Sequence, residues 1–408
     1  MTRTPPFRLP QGGRLIDRAF QVPFRFEGRH LRGLQGDTLA SALLANGQML
    51  MGRSFKYHRP RGPVASGAEE PNALFGLGQA GRFEPNQRAT TTPLVPGMVL
   101  QSQNCWPSLE ADLGAVNGWL SPMLPAGFYY KTFIHPRPFW KHLFEPMIRR
   151  SAGLGRAPAD PDPDSYEQAY GFADLAVVGG GIAGLGAARN AADRGLSVLV
   201  LEQDPVWGGR TPVDHAGGAA LIETLLADLR ARDNVTLRRN TMATGLYDHG
   251  YLLAREALAD HDPDAGIPRQ RLWRIRAGHV IAATGALERP LSFACNDVPG
   301  VMLASAMRDF IAGYGVAPGR RIVVVTNNDD AYRTALTGHE AGLEVTVIDA
   351  RPRADGDLPR AVRDLGIAIH TGSAIANVRG WRHVEGVILC DQSGEGRPTG
   401  KIDCDAVA

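Results

Sequence analysis

The chain is poor in cysteine and nearly neutral. Its 408 residues hold four cysteines, Cys105, Cys295, Cys390 and Cys404, and no two form Cys-x-x-Cys. That argues against a disulfide framework and a zinc site, and fits a reducing cytoplasm. The formal net charge is only +2, so nothing calls for nucleic acid or an anionic membrane surface. No apolar run reaches the ~18 residues of a membrane span. The first residues, Met1-Thr-Arg-Thr-Pro-Pro-Phe7, lack an apolar signal core. His135, His142 and His215 have no metal-ligand spacing. No Ser-His-Asp or activated-cysteine pattern stands out, so no catalytic residue is expected in this chain. Internal repeats and low-complexity tracts are also missing. With 44% hydrophobic and 21% charged residues, the chain reads as soluble and globular, and its length suffices for two or three domains.

Glycine, by contrast, is abundant and placed with purpose. Gly179-Gly-Gly181-Ile-Ala-Gly184 follows an apolar run, Leu175-Ala-Val-Val178. It opens an Ala-rich stretch, Ala183 to Arg194, with helical character. A second apolar run, Ser197-Val-Leu-Val-Leu201, ends at Glu202. Strand, glycine turn, helix, strand and acid in this order form a dinucleotide-binding unit. Gly179 makes the tight turn, Gly181 lets the backbone approach a pyrophosphate, and Gly184 lets helix pack on strand. The helix N-terminus offers N–H groups and partial positive charge to phosphates. Glu202 suits an unphosphorylated ribose but does not separate FAD from NAD, since both carry the same ADP half. Gly208-Gly209-Arg210 follows closely, and Val280-Ile-Ala-Ala-Thr284-Gly285 reads as a strand ending in a Thr-Gly turn.

Three regions emerge. In residues 1–100, Phe20-Gln-Val-Pro-Phe-Arg-Phe26 alternates, Glu27-Gly28-Arg29 reads as a hairpin turn, and Gly36-Asp37 caps a helix over Thr38 to Ala45, stopped by Asn46-Gly47. Hairpin, helix and loops suggest a β-grasp domain. Residues 101–165 form a connector rich in aromatics: Trp106, Trp119, Phe128, Tyr129, Tyr130, Phe133, Phe139, Trp140 and Phe144. Asn104 to Leu120 and Phe139 to Ala152 look helical. These aromatics either pack the connector onto its neighbours or present a surface to a partner subunit. Pro158 to Ser165 reads as a linker. The third region, 166–408, holds the first βαβ unit (174–202) and an inserted second one (about 290–375). In the second, Arg321 to Val325 and Leu343 to Ile348 are strands around a helix, Ala331 to Ala341. Its turn, Thr326-Asn-Asn-Asp-Asp330, has no glycine. There Asp329 and Asp330 repel phosphates and cap the helix, so this unit is expected to be a scaffold without a nicotinamide site. The basic run Arg53, Lys56, His58, Arg59 and Arg61 is either a solvated loop or a grip for a flavin phosphate or a partner carboxylate.

The combination of glycine turn, acid, Gly-Gly pair and Thr-Gly turn resembles two-dinucleotide flavoproteins related to glutathione reductase. The expected fold is therefore α/β, a glutathione-reductase-like two-dinucleotide-binding fold preceded by a ferredoxin-like β-grasp domain without a cluster. Ser54-Phe-Lys-Tyr-His-Arg-Pro-Arg-Gly62, Asn104-Cys-Trp-Pro-Ser108, Gly127-Phe-Tyr-Tyr-Lys-Thr-Phe133 and Asp297-Val-Pro-Gly-Val-Met302 resemble the alpha-subunit family of heterotetrameric sarcosine oxidases. That resemblance implies NAD in the first site, FAD and the sarcosine site in a beta subunit, FMN at the alpha–beta interface, and gamma and delta subunits as further partners. It implies oxidation of sarcosine to glycine with hydrogen peroxide, the one-carbon unit passing to tetrahydrofolate. The NAD contacts carried over would fall on Ala183, Glu202, Gln203 and Arg210, and the turn motifs add Gly179, Gly181, Gly184, Gly209, Thr284 and Gly285 as cofactor-binding candidates. The family has Asp-Glu where this chain has Glu202-Gln203. It has a small or hydroxyl residue where Arg210 stands, which either helps a diphosphate or crowds it.

Two departures exclude further chemistry. Relatives in other amine-oxidising complexes carry an iron–sulfur domain with Cys-x4-Cys-x2-Cys, a spacing that lands here on Ala65, Glu70 and Ala73. Disulfide reductases place a cysteine just after the Gly-Gly pair, where this chain has Arg210-Thr211. Cys404 to Ala408 reads as a strand entering another glycine turn, where the family closes its dinucleotide site. The family's folate-binding half does not follow it, so a portion of a longer subunit is expected. The rival expectations are a self-sufficient FAD dehydrogenase and an interaction subunit of another complex, such as an opine or proline dehydrogenase or a cyanide synthase.

Overall fold

The computed structural model describes residues 7–124, 127, 131, 133, 135–151, 153–260, 262, 265–391 and 397–408. The connector aromatics Phe128, Tyr129 and Tyr130 lie outside the described residues. The chain divides into two compact units, one made of Met1–Asp160 with Glu288–Ala408, the other of Pro161–Leu287.

The first unit opens with a hairpin, β1 (Asp17–Phe26) and β2 (Arg29–Gln35), joined with Phe26 opposite Arg29. Val22, Phe24 and Phe26 point into the core, as the alternation requires. The turn residues Glu27 and Gly28 both have positive φ, 51° and 74°, the twist that two-residue hairpin loops favour. The helix Leu39–Ala45 is buried on all sides. Its cap differs from the expectation: Thr38, not Gly36-Asp37, closes it in a capping box with Ser41. Asp37 instead holds Arg8 and accepts from the Leu34 amide at 2.7 Å. The short pair β3 (Gly52–Arg53) and β4 (Pro60–Arg61) follows. Then β5 (Leu74–Leu77), β6 (Glu84–Arg88) and β7 (Val99–Ser102) complete a sheet of order β2-β1-β7-β5-β6, with β7 parallel to β1. This is a β-grasp arrangement.

The connector is less helical than expected. Between Asn104 and Leu120 the only helical segment is the tight turn Leu113–Gly118. Asp112 explains why: its carboxylate accepts from the Trp106 and Gly114 amides at 3.0 and 3.1 Å, which holds the chain in a loop, and Pro107, Gly114 and Gly118 disfavour helix. Arg137–Phe139, Trp140–Phe144 and Glu145–Ser151 do run on as one helical stretch, with a widened π-turn in the middle. Trp106, Trp119, Phe139 and Trp140 are exposed rather than packed.

In the second unit, β8 (Tyr166–Val178), the helix Ile182–Ala192 and β9 (Val198–Leu201) form the expected βαβ unit. After the helix Gly218–Arg230 come β10 (Val235–Arg238), β11 (Thr241–Tyr247), β12 (Tyr251–Ala257) and β13 (Gln270–Ala282). The sheet order is β10-β9-β8-β13-β12-β11. Apolar runs in β8 and β9 are continuous because both faces are covered. Val177 and Val200 meet the helix side with Leu185, Ile222 and Leu226. Ala176, Leu199 and Leu201 meet Leu252, Trp273 and Ile275 on the other.

The first unit resumes with β14 (Arg321–Thr326), the helix Asp330–Glu340, β15 (Glu344–Asp349), β16 (Ala368–Thr371), the antiparallel trio β17 (Ser373–Gly380), β18 (Val384–Asp391) and β19 (Pro398–Ile402), and β20 (Ala406–Val407). The parallel sheet has the order β16-β15-β14-β20. One expectation changes here. The strand near Cys404–Ala408 belongs to this second sheet, parallel to β14, not to the first dinucleotide unit. Phe26 and Phe75 of the N-terminal region share one apolar cluster with Phe310, Tyr332 and Val347, so residues 288–408 pack with it in the same compact unit.

Candidate dinucleotide site

Three of the four glycines of the first βαβ turn are each required by a different neighbour. Gly179 has φ +109°, and a Cβ there would lie 2.3 Å from the Ala283 carbonyl oxygen. At Gly180 it would strike the Trp207 ring at 2.4 Å. At Gly184 it would meet the Gly179 carbonyl at 1.9 Å. Gly181 is the exception: a Cβ there would meet nothing within 4 Å. Its face is open, and it caps the helix Ile182–Ala192 with no side chain. The first N–H groups of that helix are thus free for an anion.

Glu202 closes the site from the end of β9. It is 7% exposed. Its Oε2 accepts from the Gly180 amide at 2.7 Å and its Oε1 from the Asp204 amide at 2.9 Å. Each oxygen keeps a lone pair for a ribose hydroxyl. The Gly208 amide donates to the Gly180 carbonyl at 2.9 Å, and Gly181 bridges Gly208 in parallel register. Gly209 therefore lies beside Gly181. From β13, the Ala283 amide donates to the Val178 carbonyl at 2.7 Å, which sets Thr284 beside Gly179; Thr284 and Gly285 are exposed. The structure thus gathers Gly179, Gly181, Gly184, Glu202, Gly209 and Thr284 around one turn. Ala183 and Gln203 are exposed next to it. Arg210 is ion-paired with Asp214 at 3.2 Å. Trp207, which the sequence reading passed over, is the floor of the turn; its signal is a bulky residue placed just before Gly208-Gly209.

The second βαβ turn is built differently. Asp329 stands at the N-cap of the helix Asp330–Glu340 but makes no side-chain capping bond. Thr326 Oγ1 accepts from the Asn328 amide at 3.0 Å and Asn328 Oδ1 from the Asp330 amide at 2.9 Å. Asp349, which ends β15 as Glu202 follows β9, is 0% exposed. Arg351 and the Tyr332 hydroxyl, at 2.7 Å each, engage the same oxygen, Oδ2. Arg351 also reaches Asp329 at 2.8 Å. Burial pulls the Asp349 carboxyl upward, but these partners outweigh it and hold the group below its ordinary value. Arg351 thus ties the turn that lacks glycine to the end of β15.

Four members of the basic run, Arg53, His58, Arg59 and Arg61, are tied to protein partners. Arg53 is buried, its Nε donating to the Leu109 carbonyl at 2.9 Å. Arg59 and Arg61 both grip Asp297. His58 Nδ1 lies 2.6 Å from Asp112. The reason is long-range: carboxylates and carbonyls distant in sequence fold over the loop.

Ala65, Glu70 and Ala73 come together around a carboxylate. Glu70 is 1% exposed. Its Oε2 accepts from the Val64 and Ala65 amides, both at 2.7 Å, and its Oε1 from the Asn72 and Ala73 amides at 2.6 and 3.0 Å.

Residues 173–408 match the pyridine nucleotide-disulphide oxidoreductase family, and the chain belongs to it. Residues 19–105 match the 2Fe-2S iron-sulfur cluster binding domain. Among curated relatives, the chain is similar to sarcosine oxidase subunit alpha of Rhizobium meliloti (strain 1021), 48% identical over 375 residues, 90% of this chain and 38% of that protein. It is similar to sarcosine oxidase subunit alpha of Corynebacterium sp. (strain P-1), 33% identical over 424 residues, 100% of this chain and 39% of that protein. The chain spans about two-fifths of the length of these relatives. L-proline dehydrogenase from P. horikoshii shares the fold, with a TM-score of 0.59 at 20% identity over 98% of this chain and 61% of that one.

The residues present do not fit a 2Fe-2S cluster. Such a cluster takes four cysteine thiolates, and residues 19–105 contain one cysteine, Cys105. Burial pushes its thiol above the ordinary value, and its Sγ lies 2.9 Å from Ser102 Oγ. The residues of the first turn do fit a dinucleotide: an open glycine face, an uncapped helix start and a seated carboxylate meet there. No helix among the described residues is long and apolar enough to cross a membrane.

Proposed function

We propose that this chain is the dinucleotide-holding part of the alpha subunit of a heteromeric sarcosine oxidase. The observation that carries this is the open face of Gly181 beside an uncapped helix and the Glu202 carboxylate, in a chain similar to sarcosine oxidase subunit alpha. NAD is the nucleotide assigned to this site, with the ADP half along Gly179 to Gly184 and its ribose on Glu202. The other assigned contacts are Ala183, Gln203, Gly209, Arg210, Thr284 and Gly285. Arg210 has an acidic partner within its own turn, so its guanidinium reaches a diphosphate only by sharing that contact.

The overall reaction proposed for the complex is sarcosine + water + O2 to glycine + formaldehyde + hydrogen peroxide. Where tetrahydrofolate is present, it captures the one-carbon unit as methylenetetrahydrofolate. FAD in a beta subunit and FMN at its border with this chain supply the redox chemistry, and gamma and delta subunits complete a cytoplasmic heterotetramer. This chain's residues bind and orient. Arg351, seated between Asp329 and Asp349, supports reading the second βαβ unit as a scaffold without a nicotinamide nucleotide. The cysteine count of the N-terminal domain supports reading it as free of a cluster. The exposed Trp106, Trp119, Phe139 and Trp140 support the connector as the docking surface for a flavin-bearing subunit.

Peroxide release from sarcosine tests this reading. The chain by itself, supplied with flavin, gives none; the chain mixed with a beta-type partner does. Turnover by the chain alone favours the second reading, an FAD-dependent amino-acid or opine dehydrogenase. That reading rests on Glu202 and the glycine turn serving an ADP half common to both nucleotides.

A further inference from the structure

The four amides around Glu70 belong to two separate stretches of the loop, Val64-Ala65 and Asn72-Ala73, and they point at one spot. Successive backbone N–H groups that converge in this way form an anion nest, the kind of concavity in which phosphates and iron–sulfur clusters are held. Here the nest lies in a region matching a cluster-binding domain, at the positions where the ligand spacing falls. What fills it is a side chain of the loop itself.

We propose that the Glu70 carboxylate is the built-in occupant of this nest, taking over the structural part of a cluster, and that the loop becomes a site for a small carboxylate anion once Glu70 is shortened. The inference rests on the cluster-free reading of the N-terminal domain given above. When ionised, both Glu70 oxygens are pure acceptors with room for two bonds each, so one carboxylate satisfies all four donors and the amide isostere does not. Removing it leaves four amides buried without partners, each a real cost. The loop matters beyond itself. The Val64 carbonyl accepts from the Leu303 amide at 2.7 Å, and Ser66 Oγ donates to Asp309 at 2.6 Å. Glu70 therefore shapes the segment that joins the β-grasp sheet to the helix beginning at Ala304. An apolar filler would match the volume but leave the donors unpaired. A lysine or arginine would oppose four N–H dipoles.

The experiment uses the full chain, with Glu70→Gln and Glu70→Ala, read by thermal unfolding and by hydrogen exchange over residues 62–75. Glu70→Gln lowers the midpoint by roughly 5 °C, because its amide group faces donors. Glu70→Ala loses at least as much. Sodium formate or acetate, against sodium chloride at equal ionic strength, restores part of the Glu70→Ala midpoint and slows exchange at Val64, Ala65, Asn72 and Ala73. Neither anion does this for the unaltered chain. If Glu70→Ala does not fold, slow exchange of those four amides in the unaltered chain at neutral pH supports the proposal, and rapid exchange overturns it. A Glu70→Gln chain as stable as the original overturns it as well, as does Glu70→Ala that responds equally to formate and chloride. Iron and acid-labile sulfide are measured on the same unaltered preparation. Their presence at one cluster per chain overturns the cluster-free reading. Their absence together with an unaffected Glu70→Gln overturns only the role of Glu70.

Discussion

The Gly180 amide donates to the Glu202 carboxylate at 2.7 Å, so the acid that ends one strand fixes the turn that ends the other. The Trp207 ring lies against the same glycine. The proposed ribose acceptor and the proposed phosphate turn are thereby braced against each other before any ligand arrives.

Replacing Glu202 removes both the proposed ribose acceptor and the brace of the turn. A hydrogen bond to a charged group is worth about 1.5–3 kcal/mol. Glu202→Ala is therefore expected to weaken nucleotide retention roughly ten- to a hundredfold, measured as the nucleotide remaining after gel filtration and as a dissociation constant by calorimetry. Glu202→Gln, which keeps one acceptor, falls between. Unchanged retention in Glu202→Ala moves the ribose elsewhere.

The glycines separate folding from binding. Gly184→Ala drives a methyl into the Gly179 carbonyl and should cost about 2 kcal/mol or more of stability. Gly181→Ala meets no protein atom and should fold normally, with a midpoint within a few degrees of the original, yet lose nucleotide at least about tenfold because the methyl occupies the pyrophosphate's approach. Paired unfolding and binding curves decide this. Equal loss of stability in both variants would show that Gly181 packs against protein rather than facing a ligand.

Acid sensitivity should trace to Asp349. Its carboxyl sits below the ordinary value in the folded chain. The folded state thus binds fewer protons than the unfolded one, and the contribution is present above the unfolded value of about 3.9. It disappears as pH falls through the lower folded value. The midpoint difference between the original chain and Asp349→Asn should be largest near pH 7 and shrink below about pH 4. A difference that grows on acidification contradicts the sign.

Much of the dinucleotide unit was readable because its signals are local. An apolar run, a glycine turn and an acid fix strand, turn and strand within one short stretch, and Gly179 to Glu202 fold as their spacing predicts. The parts that escaped depend on distant partners. Arg59 and Arg61 find Asp297 across 238 and 236 positions, so a run that looked solvated is held within its unit. Asp112 ties down a stretch whose composition suggested helix. Glu70 looked like a lost ligand, because only the folded loop shows four amides meeting it. The core shared by Phe26 and Val347 escaped for the same reason: no local pattern announces it.

The central claim is that the first βαβ turn holds NAD, and the most direct measurement is to denature the purified 408-residue chain and identify what it releases by mass and absorbance. The account predicts NAD, close to one per chain, with no flavin absorbance and with retention lost in Gly181→Ala. Release of FAD in that amount, lost in the same variant, would contradict it and make the chain a flavoprotein in its own right.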